Sequence, residues 1–335
     1  QVAGYESLNW KDCYEKAAYY AGIIMGRNPD VSYGTYRLLS FDELWKKSGF
    51  DESEHMFSVR TRSADEEYGN GVHQWYCGMQ DAGGVLQKGP WVGNRFHWYC
   101  LFDNEDYRIT KGVKHRFQYD SQVKNGRGYY YPGTPEYKLM ATGKNMDDVK
   151  VQEPVAPFND GLTYTNSISS NCLAFTTKYA DVTDPTIGRT DAYWPFLRYA
   201  DIVLIYAEAQ CELNDGISQD AIDALNDIRI RSNAKEASVT GDGAIETKVE
   251  LRSVIFEERA KELAYEGDRR WDLLRWGIYL DVMNSLGGIN EDGTRTPYDE
   301  GSINKRREFR HLLYPLPSLE VSTNMAIDKN NPGWN

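Results

Sequence analysis

The stretch RAKELAYEGDRRWDLLRWG, residues 259–277, decides how this chain is read. Glu262, Glu266, Asp268, Arg269, Arg270, Asp272 and Arg275 crowd around two tryptophans. Such density suits either the working end of an enzyme or a charge-compensated scaffold. At a helical period, Phe256, Ala260, Leu263, Gly267, Trp271 and Leu274 share a stripe that would face a core, and Arg259, Glu262, Glu266, Arg269 and Arg270 form a second stripe. Opposite charges three and four apart pair along the surface if the helix runs unbroken from about Lys248 to Asn284. Alternatively, Gly267-Asp268 breaks it into two helices, with Asp268 capping the second. Either way, the interleaving describes a compensated network better than a catalytic pair, whose members need environments that drive their pKa values apart. Trp271 and Trp276 are expected in the core, and Trp194, just ahead of a proline, in packing.

Working outward, WPFLRYADIVLIYAEAQCELNDG (194–216) sets Leu204, Tyr206, Ala207, Ala209 and Leu213 at helical spacing and stops at Asn214-Asp215-Gly216. Ser218 then caps a second helix with Ala221, Leu225 and Ile228 on one face. The short link predicts an antiparallel hairpin crossing at Ala209 and Ala221, similar to one tetratricopeptide unit. Residues 8–25 predict an opening helix (Leu8, Tyr14, Ala17, Ala18, Ala21, Ile24) halted by Gly26 and Pro29, and Ser40 can cap a short helix carrying Glu43. Between 51 and 190 the periodicity dissolves into Gly, Asn, Asp, Tyr and Trp, which predicts long ordered loops, a few short helices and small strands. Loops of that length usually carry function.

Composition excludes several classes. The 50 acidic against 38 basic residues leave a net charge of -12, which repels nucleic acid and anionic lipid, and no basic run offsets it. Cys13, Cys77, Cys100, Cys172 and Cys211 form no CxxC, so neither zinc ribbon nor disulfide framework is legible, and an odd count leaves one thiol unpaired within the chain. His55, His73, His97, His115 and His311 are isolated, without an HExxH, and no GxSxG, Walker or GxGxxG motif occurs. Neither metal nor cofactor is assigned; a structural calcium held from distant loops would leave no local signature. No apolar run approaches the about 18 residues of a membrane span, and no signal peptide is evident. Beginning at Gln1 without Met, the chain reads as a processed or truncated product.

Four segments in order, LRYADIVLIYAEA (197–209), LNDIRIRSNA (225–234), FEERAKELAYEGDRRWDLLRWG (256–277) and the ending LYPLPSLEVSTN to NNPGWN (313–335), resemble the SusD/RagB family. AYYAGIIMG, FDELWKKSGFDESEHMFSV and LFDNEDYR (101–108) extend the resemblance over nearly the whole chain. It implies a mainly α-helical fold of tetratricopeptide-like pairs with a loop-rich face. It further implies a lipid-anchored protein on the extracellular face of the outer membrane. Such a protein captures glycans, or in some members peptides, for a TonB-dependent SusC-type transporter, and is not an enzyme. Typical members are longer; the segment with the lipid-bearing cysteine and first helical pairs is absent here, and Cys13 does not replace it. Within one SusD-like domain the expected regions are 1–50 (helical entry), 51–190 (loop-rich, ligand-binding), 191–285 (helical scaffold) and 286–335 (an extended segment packing on the scaffold).

Sugar rings present apolar faces ringed by hydroxyls, so their sites need exposed aromatic planes beside amide, carboxylate or guanidinium groups. HQWYCGMQD and PWVGNRFHWY supply that mixture, and the expected ligand contacts are Trp75, Trp91 and Trp98, then Tyr76, Asn94 and Arg95. Each tryptophan has the alternative role of a half-buried core ring. Tyr129, Tyr130 and Tyr131 form a second candidate cluster, of which at most two can share a face. A glycoside hydrolase would instead use two carboxylates across a cleft, with Asp65, Glu66, Glu67, Asp103 and Asp106 as candidates; ordinary solvated loop charges explain them better. A pure assembly protein, docking through its helical hairpins, is the third class.

Overall fold

The computed structural model describes residues 8–28, 31, 35–51, 53–63, 68–81, 83–93, 98, 101–103, 105–114, 116–118, 127–130, 139–141, 149–151, 163–166, 175–285 and 307–334. The hairpin expected from residues 194–232 forms as helices α5 (Tyr199–Leu213) and α6 (Gln219–Arg231). Ser218 caps α6 by accepting from the Ala221 backbone N–H. Ala209 and Ala221 are completely buried, as close helix crossing requires. Helix α1 (Trp10–Ile24) lies along α5, with Gly22 3.4 Å from the Tyr206 ring once a Cβ is imagined there. Helix α7 (Lys248–Glu262) packs on α5 from another side and begins in a capping box between Thr247 and Glu250. Val203, Leu204, Ala207, Leu225, Ile228, Leu251 and Ile255 fill the shared core.

Short elements surround this frame. Helices α2 (Phe41–Leu44), α3 (Val72–Cys77) and α4 (Tyr107–Thr110) are one or two turns each. Ser40 occupies the N-cap of α2, but its hydroxyl donates to the Glu43 carboxylate rather than capping the backbone. Strand β1 (His55–Val59) pairs antiparallel with a strand from the far end of the loop region, β11 (Trp194–Arg198), in an irregular register from His55 opposite Arg198 to Val59 opposite Trp194. The hairpin β2 (Met79–Gln80) with β3 (Leu86–Lys88) follows α3 directly. β4 (Val113–Lys114) pairs with β10 (Phe175–Thr176). β5 (Arg116–Phe117) pairs antiparallel with β6 (Arg127–Tyr130), which runs parallel to β9 (Thr163–Asn166).

The chain divides into two compact units, residues 1–138 with 153–266, and 139–152 with 267–335. The second contains the two-stranded pairing of β7 (Leu139–Ala141) with β8 (Val149–Val151), and helices α8 (Arg269–Arg275), α9 (Tyr279–Ser285) and α10 (Ser318–Thr323).

The unbroken helix allowed for residues 248–284 does not form. α7 ends at Glu262, Tyr265 (φ 69°) and Gly267 (φ 102°) take left-handed backbone, and α8 starts anew. Asp268 stands at its N-cap position without a side-chain capping bond. The break resets the helical phase: Ala260 and Leu263 are buried as the apolar stripe predicts, but Gly267 and Trp271 beyond them, like Arg269 of the charged stripe, are exposed. Arg259, Glu262 and Glu266 are buried while Trp271 is 59% exposed, so Trp271 is not a core residue and the charges do not pair along a surface. Trp194 packs as expected, stacked on Tyr179 at 5.5 Å.

Candidate functional site

Trp75 sits in the last turn of α3, 44% exposed. Gly71 precedes this helix, and a Cβ there would meet the Trp75 indole at 2.9 Å; the ring lies back over a bare backbone. The Trp75 carbonyl accepts from the N–H groups of Trp91 (2.9 Å) and Val92 (3.0 Å). That bifurcated contact ties the segment after β3 to α3, so Trp75 and Trp91, itself 70% exposed, are carried on one connected piece of backbone. The β2–β3 hairpin between them is tightly set. Asp81 Oδ1 accepts from Gly83 and Val85 N–H, as Asx turns do. Gly78 (φ 75°) crosses so close to Lys88 that a Cβ would stand 2.6 Å from its carbonyl oxygen.

Tyr76 and Trp98 lie behind this display. Tyr76 is half-buried against Tyr179 (5.3 Å), Trp194 (6.1 Å) and Tyr265 (5.6 Å). Trp98 meets the same Tyr265 edge-on at 5.8 Å and Phe102 at 4.6 Å, and its indole N–H donates to the Ala260 carbonyl at 2.8 Å. The structure thus brings Trp75, Tyr76, Trp91 and Trp98 to one neighbourhood but divides them: two indoles face solvent, and Tyr76 and Trp98 wedge inward. Asn94, Arg95, Phe96, His97, Tyr99 and Tyr131 lie outside the described residues. Tyr129 and Tyr130 stand on β6, in register with Phe117 and Arg116. The residue that sequence reasoning missed is Tyr265, whose left-handed backbone lets its ring join the wedge and its carbonyl accept from the Tyr179 hydroxyl at 2.8 Å. Its signal was the Gly267 two residues on, which marks an interrupted helix.

The charged residues of the opening stretch anchor this wedge from within. Arg198, at the end of β11, donates to both Glu266 oxygens (2.6 and 2.8 Å), to Glu54 (2.6 Å) and to Glu262 (3.1 Å). Lys178 donates to Glu266 at 2.7 Å and Arg231 to Glu262. Arg108 bridges Asp106 and Glu258, and Arg229 closes on Glu258 at 2.8 Å. Among the described residues, the five carboxylates Glu54, Asp106, Glu258, Glu262 and Glu266 face the five cations Arg108, Lys178, Arg198, Arg229 and Arg231. Asp106 is therefore not a solvated loop charge: it is buried, caps α4 and grips Arg108.

Burial alone would raise the Glu262 carboxyl, but Arg231, Arg198 and Arg108 reverse this and hold it well below the usual carboxylate range. Glu266 behaves alike: burial raises it and Arg198 and Lys178 pull it down. Glu258 follows under Arg108 and Arg229. Carboxylates locked in the ionised form cannot supply the proton donor of an acid–base pair. Burial also pushes the Cys77 thiol up to about 12, which suppresses its thiolate. Rings fixed in solvent beside hydrogen-bonding loops can bind an amphipathic ligand by stacking.

The SusD family profile matches residues 80–334. The SusD-like protein P2 of Formosa agariphila is 33% identical over 142 residues, covering 41% of this chain and 25% of that protein. SusD-like protein P38 of the same organism is 36% identical over 142 residues, covering 41% and 25%. A SusD homolog of Bacteroides thetaiotaomicron superposes with a TM-score of 0.65 at 21% identity, covering 98% of this chain and 61% of that one. Surface glycan-binding protein A of B. thetaiotaomicron, solved with laminarihexaose, superposes with a TM-score of 0.58 at 18% identity, covering 96% and 60%. The chain thus spans about six-tenths of the solved structures, and its alignment takes in a quarter of the curated relatives it matches.

Proposed function

The chain belongs to the SusD family, and on that footing we propose that it captures glycans without cleaving them and delivers them to a TonB-dependent SusC-type transporter. In this reading it works on the extracellular face of the outer membrane, held there by a lipid anchor. The observation that carries the proposal is the pair of solvent-facing indoles, Trp75 and Trp91, joined through the Trp75 carbonyl. Sugar faces stack on such rings at low entropic cost when the rings are already fixed. Asn94 and Arg95, three and four residues beyond Trp91, would supply the hydroxyl-binding groups; Tyr76 and Trp98 hold the platform from behind. The laminarihexaose complex of a protein with the same fold supports a glycan as the ligand class. The net charge of -12 favours neutral glycans over polyanionic ones.

Native affinity gels cast with laminarin, amylopectin, galactomannan or xyloglucan, combined with chromatography of the incubated glycans, test the proposal. Retardation by at least one neutral glycan without released oligosaccharide is expected. Released oligosaccharide would instead favour a glycoside hydrolase. Migration unaffected by every glycan would move the reading to peptide capture.

A further inference from the structure

We propose a second glycan-stacking platform, formed by Trp271 and Tyr314 in the unit of residues 267–335; it rests on the glycan-capture reading above. Both residues are 59% exposed, and their ring centroids are 6.5 Å apart with the planes inclined at 60°. Trp271 lies on α8, whose Asp272 and Leu273 point into the protein while the indole points out. An apolar ring so displayed, next to a second one, is the combination that marks a binding surface rather than a scattered surface residue.

The Tyr314 ring is held, not merely exposed. The Arg270 guanidinium stacks over the Tyr314 ring at 4.4 Å and over Tyr279 at 4.8 Å. It is itself fixed by donating to the Tyr279 hydroxyl (2.6 Å) and the His311 carbonyl (2.8 Å). The Tyr314 backbone is secured by Asn331, whose amide donates to its carbonyl at 2.7 Å. Asp268 and Arg275 lie one turn to either side of Trp271 and set charge beside an apolar face, with Arg275 already donating to Asp272 at 2.9 Å and stacked over Trp276 at 4.7 Å. That mixture suits a sugar, which needs both a flat apolar contact and polar partners for its hydroxyls. An inclination of 60° does not suit two successive units of a flat ribbon-like glycan; it suits a chain that turns between units.

The test is fluorine NMR of the protein labelled with 5-fluorotryptophan, with Trp75, Trp91 and Trp271 signals assigned by Trp→Phe variants. Laminarihexaose, maltohexaose and mannohexaose are titrated in turn. At least one should shift or broaden the Trp271 signal, and Tyr314→Ala should abolish that response while sparing the Trp75 signal. Responses at Trp75 and Trp91 with none at Trp271 would overturn the second platform alone. A response at Trp271 only would support it and remove the first site. Silence at all three would overturn both. A Trp271 shift produced by raising protein concentration without glycan, and by nothing else, would assign the surface to self-association and overturn the proposal.

Discussion

Position 71 shows how one atom sets the placement of an indole in the proposed binding surface. Gly71 has φ −91°, open to any residue, so the consequence of adding a methyl falls on the Trp75 ring that occupies its space. Gly71→Ala should therefore leave the urea midpoint nearly unchanged and weaken glycan retardation several-fold; equal retardation would show that the ring's placement is irrelevant. A different residue-scale prediction concerns His55. Burial lowers its imidazole from 6.5 to about 4, against the contact with the Leu44 carbonyl, and Arg198 adds to the lowering. The unfolded chain then binds the extra proton between those pH values, so stability falls as pH drops through that window, by up to about 3 kcal/mol. His55→Gln should flatten the urea-unfolding profile between pH 6.5 and 4, and an unchanged slope would contradict it. Trp75 and Trp91 were legible as candidate aromatics, but their exposure was not, because it depends on Gly71 and on the hydrogen bonds to the Trp75 carbonyl. Trp98 reads the same in sequence and faces inward because its N–H is taken by Ala260.

At the scale of elements, the helical hairpin was legible because cap, period and stop agree at Ser218, Leu225 and Asn214. The exposure of Trp271, beyond the break, was not. Helical phase can be projected forward only while the helix continues, and Tyr265 with Gly267 interrupts it. Nor does local sequence show that the partners of Glu262 and Glu266 come from β11 and from residue 178, far along the chain. Arg198 thereby joins the end of α7 to β11, and it also holds Glu54, the residue before β1. Arg198→Met leaves Glu54 and Glu266 buried with fewer partners, and removal of one member of a buried pair costs about 3–5 kcal/mol. Chemical denaturation of this variant is expected to show that loss; a change under about 1 kcal/mol would mean the cluster contributes little beyond a hydrophobic substitute.

For the molecule as a whole, the cluster in which, among the described residues, five buried carboxylates meet five cations makes acid the vulnerability. Glu258, Glu262 and Glu266 are held below the unfolded carboxylate value. Their stabilisation is complete above the unfolded value of about 4.3 and is lost as pH falls further. In a background that replaces both histidines whose imidazoles burial lowers, His55→Gln/His73→Gln, stability should stay level down to about pH 5 and then decline, and 1 M salt should change it little because buried pairs are poorly screened. Decline beginning near neutrality would contradict the assignment. In the proposed reading this frame holds the rings still and does no chemistry itself. Isothermal titration of the glycan that best retards the native protein, against wild type and Trp75→Ala/Trp91→Ala with unchanged urea midpoints, measures that role. The double variant is predicted to lose at least tenfold in affinity, and wild-type affinity in the variant would show that capture does not run through these two indoles.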